Sequence, residues 1–233
     1  MPEVIINGSD GRLEGRYHQS TEKNAPAALV LHPHPRHGGT MHNKVAYNLF
    51  HSFVNNGFSV LRFNFRGVGR SEGKFDGGEG ELSDAATALD WLQQYNPDAA
   101  TFWIGGFSFG SWISMQLLMR RPELENFIAI SPPANMYDFN FLAPCPRSGL
   151  IIQGDQDSIV QESAVAKLYD KLSQPKDLAI DYRVVGGADH FYRQHMDNLV
   201  ENLNDYVSTN IIEIKKRGQI RPDRRRRQLP KTS

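Results

Sequence analysis

Between Thr101 and Met119 the sequence changes character twice. Thr101-Phe-Trp-Ile104 is apolar, aromatic and β-branched, the composition of a buried strand. Gly106-Phe-Ser-Phe-Gly110 follows at once, a G-x-S-x-G turn. Ser111-Trp-Ile-Ser-Met-Gln-Leu-Leu-Met119 then reads as a helix, stopped at Arg121-Pro122. Strand, tight turn and helix in this order form the context that a nucleophile elbow requires. Such a turn throws Ser108 to the tip of the strand in a strained backbone conformation. Gly106 and Gly110 carry no Cβ, so neighbouring backbone can pass close by. The helix N-terminus aims its free N–H groups and its positive dipole end at charge developing beside the serine.

The rest of the chain alternates in a way that fits this centre. Pro2 to Asn7 and Arg12 to His18, joined by Asn7-Gly-Ser-Asp-Gly11, predict an antiparallel hairpin at one sheet edge. Ala25 to Leu31 is a continuous apolar run, as in a strand buried on both faces. A helix is predicted over Lys44 to Asn55, closed by Asn56-Gly57, and a strand over Phe58 to Phe63. Asn64 to Gly80 is a glycine-rich loop, and a helix follows from Glu81 to Tyr95. Beyond the elbow, strands are expected at Asn126 to Ile130, Ser148 to Gln153 and Asp177 to Val185. Helices are expected at Ser163 to Leu172 and His190 to Thr209. Repeated β-α-β units imply a mainly parallel sheet with helices on both faces.

Composition sets the outer limits. The chain has 233 residues, 39% of them hydrophobic and 22% charged, as in a globular protein with a substantial core. No run approaches the ~20 apolar residues of a membrane span. The N-terminal residues show neither the basic nor the apolar segment of a secretory signal, and the single Cys145 allows no internal disulfide. A cytoplasmic location is the expectation. The equal totals of 26 bases and 26 acids conceal an asymmetry, since residues 214–233 hold nine Lys/Arg and one acid. We read residues 1–212 as one domain and 213–233 as a basic extension that solubilises the protein or touches another copy in a homo-oligomer. Nucleic-acid contact is the less favoured reading, because the extension has no aromatic residues for base stacking.

In sheets of this kind functional groups gather at the carboxyl ends of the strands. Gly154-Asp155-Gln-Asp157 follows one strand, and Gly186-Gly-Ala-Asp189-His190-Phe191 follows another. A serine hydroxyl is a poor nucleophile at neutral pH. A neutral imidazole must take its proton, and a carboxylate must fix the imidazole tautomer. Ser108 and His190 fill the first two roles. Asp157 is preferred for the third over Asp155, whose place at the strand end suits a turn contact. Asp189 is too close in sequence to reach its neighbour's ring in the right geometry.

These residues carry a family resemblance. Leu31-His-Pro-His-Pro-Arg-His-Gly-Gly-Thr-Met41, Arg62-Phe-Asn-Phe-Arg-Gly-Val-Gly-Arg-Ser-Glu-Gly73, Gly105-Gly-Phe-Ser-Phe-Gly110, Gly154-Asp-Gln-Asp157 and Gly187-Ala-Asp-His190 stand in order along the chain. Together they resemble the small bacterial α/β-hydrolases related to dienelactone hydrolases and serine-aminopeptidase-like enzymes, over about Val4 to Thr209. The resemblance implies an α/β-hydrolase fold without a large cap domain. It also implies an oxyanion hole made of the backbone N–H groups of Phe109 and of His34, although this chain has His32-Pro33-His34 where the family often has His-Gly.

Other signals carry less. His32, His34, His37 and His42 crowd one loop, yet their spacing and the absence of companion ligands speak against a metal site, and His32 reads as a hydrogen-bonded anchor. Gly67-Val-Gly69 lacks the third glycine of a dinucleotide fingerprint, so no cofactor is expected, and Arg66 and Glu72 are read as ties holding that loop. Cys145 reads as a packed thiol. Only about 16 residues separate Ser131 from Ser148, too few for a helical lid. The apolar segment Met136 to Leu142, with Phe191 and Tyr192, is expected to rim a pocket for small or medium acyl substrates. The expected activity is that of a carboxylesterase or thioesterase. The alternatives are a serine peptidase of the aminopeptidase-like type, or a hydrolase-fold binding module tethered by its basic extension.

Overall fold

The apolar runs become the strands of a single mixed sheet. The computed structural model describes residues 2–142, 144–173 and 178–220, with side chains of the last helix described as far as 212. In chain order the elements are β1 (Glu3–Gly8), β2 (Gly11–His18), β3 (Ala27–Leu31), α1 (Lys44–Asn55), β4 (Ser59–Phe63), α2 (Glu79–Tyr95), β5 (Phe102–Phe107) and α3 (Phe109–Arg120). There follow β6 (Leu124–Ile130), β7 (Gly149–Gly154), α4 (Glu162–Leu172), β8 (Ile180–Val185) and α5 (Met196–Ile220). The sheet order is β1-β2-β4-β3-β5-β6-β7-β8. β1, β2 and β4 pair antiparallel, and from β4 to β8 every pairing is parallel. The elbow strand β5 is therefore interior, flanked by β3 and β6.

Each face of the sheet has its own core. α1 and α5 bury Leu49, Phe50, Phe53, Leu199, Leu203 and Val207 against Val60, Trp103, Phe107 and Ile152. α2, α3 and α4 bury Leu89, Ile113, Leu117 and Val165 against Leu29, Leu61, Ile104 and Ile151. The alternation within β5 sends Trp103 and Phe107 to one core and Ile104 to the other, the period of two that a strand imposes. Local chemistry sets several boundaries. The Asn43 side chain accepts from the N–H groups of Val45 and Ala46, which starts α1 where the sequence predicts it. The Glu81 carboxylate accepts from Gly78 N–H and Asp76 N–H, which fixes the entry to α2.

The last helix differs from expectation at both ends. Residues 190–195 turn instead of winding, because Tyr192 sits at φ 53° and His195 N–H closes on the Tyr192 carbonyl. At the other end α5 continues to Ile220, eleven residues past Thr209. The sequence holds no proline before Pro222 to stop it. The residues read as a basic extension begin at 213. Their first part is helical, and residues 221–233 lie outside those described. Tyr192 is also not at a pocket rim. It is fully buried, with its hydroxyl beside Ser131 Oγ at 3.1 Å and donating to the Ile152 carbonyl at 3.4 Å.

Candidate active site

The elbow forms for steric reasons that can be read atom by atom. Ser108 adopts φ 53° and ψ −120°, a strained conformation for a residue with a Cβ. A Cβ added to Gly106 would lie 2.3 Å from the Gly110 carbonyl, and one added to Gly110 would lie 2.5 Å from the carbonyl oxygens of Leu31 and His32. The two glycines thus let α3 start directly beside β5 and β3. Ser108 N–H donates to Ile130 O at 2.8 Å, and the Ser108 carbonyl accepts from Ser111 Oγ at 2.6 Å and from Ser111 N–H at 2.9 Å. The turn is tied on both sides, and the side chain stands at the tip.

The loops after β7 and β8 bring the partners in. His190 Nε2 lies 3.2 Å from Ser108 Oγ, and His190 Nδ1 lies 2.6 Å from Asp157 Oδ2. A carboxylate can only accept, so Nδ1 carries the proton and Nε2 is left to accept from the serine hydroxyl. Asp157 Oδ1 accepts from the N–H groups of Ile159 and Val160, both at 2.8 Å. Burial by itself would push the Asp157 carboxyl up. The hydrogen bonds from His190, Val160 and Ile159 outweigh it and hold the group below the ordinary aspartate value. Asp155 takes the other role considered for it: its Oδ1 accepts from Gly187 N–H at 2.7 Å and ties the two loops together. Asp189 is engaged by Arg193.

One buried group in this network has no counterpart in the sequence reading. Gln153 is the penultimate residue of β7 and is fully buried. Its Nε2 donates to Asp157 Oδ2 at 3.1 Å and to the Val160 carbonyl at 2.8 Å, while its Oε1 finds no partner among the described residues. The carboxylate that receives His190 is therefore also held by a neutral donor. A polar residue closing the apolar run Leu150-Ile-Ile is the signal that could have found it.

Above the serine lies a cavity of about 310 Å³. Ser108, Phe109, His190, His34, His37, Met136, Tyr137, Ile159 and Phe191 line it. Met136 and Phe191 line this cavity together with Ser108, whereas Phe139 and Leu142 turn into the core. Among the described residues the N–H groups of Phe109 and His34 have no acceptor. The loop that carries His34 is tied down at both ends. His32 accepts from Phe65 N–H at 3.0 Å through Nε2, and Asn64 Oδ1 accepts from Met41 N–H at 2.7 Å. Arg62 Nη1 donates to the Met41 carbonyl at 2.7 Å. Burial pushes the His32 imidazole down to about 3, so it is the neutral anchor that the sequence suggests.

The glycine-rich loop at 64–78 is tied as expected, with Arg66 forked onto Asp84 at 2.7 and 3.0 Å and Glu72 onto Arg12. Cys145 is buried, its thiol donating to the Arg147 carbonyl. Among the described residues no three His, Cys, Asp or Glu side chains are placed to share a metal ion. No helix among them is long and apolar enough to cross a membrane.

Residues 16–148 match the model of the family described as X-Pro dipeptidyl-peptidase (S15 family). The chain belongs to this family. The matched segment contains the elbow and ends before Asp157 and His190. Similarity to individual proteins spans both halves. The uncharacterized protein RP471 of Rickettsia prowazekii is 56% identical over 213 residues, covering 90% of each chain. The solved structure of ATU1826 from Agrobacterium tumefaciens, a protein of unknown function, is 53% identical with a TM-score of 0.87, covering 95% of this chain and 100% of that one. XC6422 from Xanthomonas campestris, an α/β serine hydrolase without a lid, is 32% identical with a TM-score of 0.79, covering 88% and 92%. By fold and family this is an α/β serine hydrolase of the small bacterial type, with no cap domain among its described residues.

Proposed function

We propose that this enzyme cleaves carboxylic esters or thioesters of small or medium acyl groups, through an acyl-enzyme formed on Ser108. The observation that carries the reading is the continuous Asp157–His190–Ser108 chain, at 2.6 and 3.2 Å, at the floor of a largely apolar cavity. His190 Nε2 takes the hydroxyl proton as Ser108 Oγ attacks the carbonyl carbon. The oxyanion that forms is held by the N–H groups of Phe109 and His34, each such donor contributing roughly 3–4 kcal/mol to the transition state. His190 then passes its proton to the leaving alcohol or thiol as the carbon–heteroatom bond breaks. Water attacks the acyl-enzyme with His190 again as base, and the released acid leaves Ser108 protonated. Asp157 keeps the imidazole in the required tautomer throughout and stabilises the imidazolium. Met136 and Phe191 pack against the acyl chain. No cofactor is needed for any of these steps. We assign the catalytic unit to residues 1–212 and regard 213–233 as an extension outside the chemistry.

A peptidase reading is favoured by the description of the matching family. An enzyme that removes dipeptides must hold a free ammonium group, and among the described residues no carboxylate lines the cavity beside Ser108. The ester reading is therefore preferred. A non-catalytic binding module would have no use for a buried, fully oriented triad. The deciding assay compares 4-nitrophenyl butyrate with an Xaa-Pro 4-nitroanilide. Hydrolysis of the ester by the wild type, lost in Ser108→Ala, supports the proposal. Preferential cleavage of the anilide would replace it with the peptidase reading.

A further inference from the structure

A second cavity, of about 530 Å³, adjoins the first. Asn43, Lys44, Val45, Phe191, Arg193 and Met196 line it. Asn43 and Phe191 belong to both cavities and form the wall between them. Val45, Phe191 and Met196 give the second cavity an apolar interior, and Lys44 and Arg193 supply its charge. The Arg193 guanidinium lies over the Phe191 ring at 5.0 Å from the centroid, and its Nη1 meets Asp189 Oδ2 at 3.2 Å. Lys44 is exposed, and among the described residues no carboxylate lies within ion-pair distance of it. The balance of these three groups is one positive charge.

The surroundings reinforce that sign. Among the described residues, no acidic side chain lines either cavity. From Asn24 to Ser71 the chain has no Asp or Glu, and this stretch contributes His34, His37, Asn43 and Lys44 to the linings of the two cavities. Arg36 and His42 are exposed on the same loop. A low-acid wall with two cations on an apolar floor favours an anion attached to a short hydrocarbon chain.

Resting on the ester-hydrolase reading above, we infer that the preferred substrates carry an anionic group, a carboxylate or a phosphate, bound between Lys44 and Arg193 while the scissile carbonyl sits at Ser108. The apolar stem of such a substrate crosses the Phe191 wall. The same field disfavours a substrate bearing an ammonium group.

The test uses two esters with the same leaving group and acyl length: 4-nitrophenyl hexanoate and mono-4-nitrophenyl adipate. The inference predicts that the ratio of kcat/KM for adipate to hexanoate falls about tenfold in Lys44→Glu/Arg193→Glu. It also predicts that the wild-type ratio falls when salt is raised to about 0.5 M. A control with the same change in net charge, Lys23→Glu/Arg120→Glu at the opposite end of the strands, keeps the wild-type ratio. Adipate and hexyl phosphate as competitive inhibitors distinguish carboxylate from phosphate. Weakening of either by the charge reversal supports the subsite, and weakening of neither overturns it. Ser108-dependent hydrolysis with a ratio unmoved by the reversal would overturn the subsite and leave the ester-hydrolase reading standing. Cleavage of neither ester by the wild type would remove both.

Discussion

His32 makes the stability of this fold depend on pH in a defined window. His32 is 1% exposed, its ring tilted against Phe65 at 4.7 Å between centroids, with Nδ1–H donating to the Pro33 carbonyl at 2.7 Å and Nε2 accepting from Phe65 N–H at 3.0 Å. A proton on Nε2 would set two donors against each other. Burial is the larger cause of the low value of about 3, against 6.5 for a free imidazole; the Pro33 carbonyl pulls the other way, and the nearby His34 lowers it further. Between those values the unfolded chain binds a proton that the folded chain does not. The stability from the neutral ring is thus complete above about pH 6.5 and is lost as pH falls toward 3. At pH 5 the loss is about 2 kcal/mol, since 1.5 pH units each cost about 1.4 kcal/mol. Urea unfolding at pH 7.5 and pH 5 of the wild type and His32→Gln measures it. Glutamine can still accept from Phe65 N–H but does not titrate. His34 and His51, also lowered by burial, titrate in both proteins and cancel. Asp157, held low, loses its contribution only below the ordinary aspartate value, beneath the pH 5 to 7.5 range of the comparison. The wild type should lose about 2 kcal/mol more than the variant. Equal losses would refute the account of His32 as a buried neutral anchor.

Three further outcomes follow from the same geometry. Ser108→Gly and Ser108→Ala should both be inactive, with the glycine variant more stable by about 1–3 kcal/mol in thermal unfolding, because glycine relieves the positive φ. Gly110→Ala should lose about 3 kcal/mol or more, or fail to fold, since its Cβ would meet the Leu31 and His32 carbonyls at 2.5 Å; a melting curve within a degree of wild type would contradict the packing described. Gln153→Glu should move the acidic limb of the kcat/KM profile upward by about one pH unit or more, because a second carboxylate then faces Asp157, whereas an unshifted profile would mean that Gln153 does not act on Asp157.

Much of this architecture was legible because local chemistry and tertiary packing agree. α1 runs over the apolar stripe from Lys44 and ends where Asn56-Gly57 closes it, since the pattern and the closing residues point to the same element. The elbow was legible because only glycine permits the approaches at positions 106 and 110. The choice of Asp157 over Asp155 could be argued from loop position, although the sequence alone does not reveal that Gly187 N–H captures Asp155. What was not legible depends on long-range placement. Tyr192 has an aromatic ring and a loop position like those of Phe191, yet its left-handed backbone turns it under the sheet toward Ser131. Gln153 looks like an ordinary strand terminus until Asp157 and Val160 fold over it. The start of α5 was misplaced because 190–195 carries aromatic and polar residues that suit a helix as well as a turn.

The central claim is that Ser108 is an activated nucleophile within a working triad. The most direct measurement is intact mass after exposure to a fluorophosphonate, on the wild type, Ser108→Ala, His190→Ala and Asp157→Asn. The account predicts a single adduct on the wild type, none on Ser108→Ala, and labelling slowed by orders of magnitude, roughly 10⁴-fold for Asp157→Asn, when the imidazole or its orienting carboxylate is changed. A folded wild type that takes up no adduct, or a Ser108→Ala protein that is labelled at the wild-type rate, would contradict it.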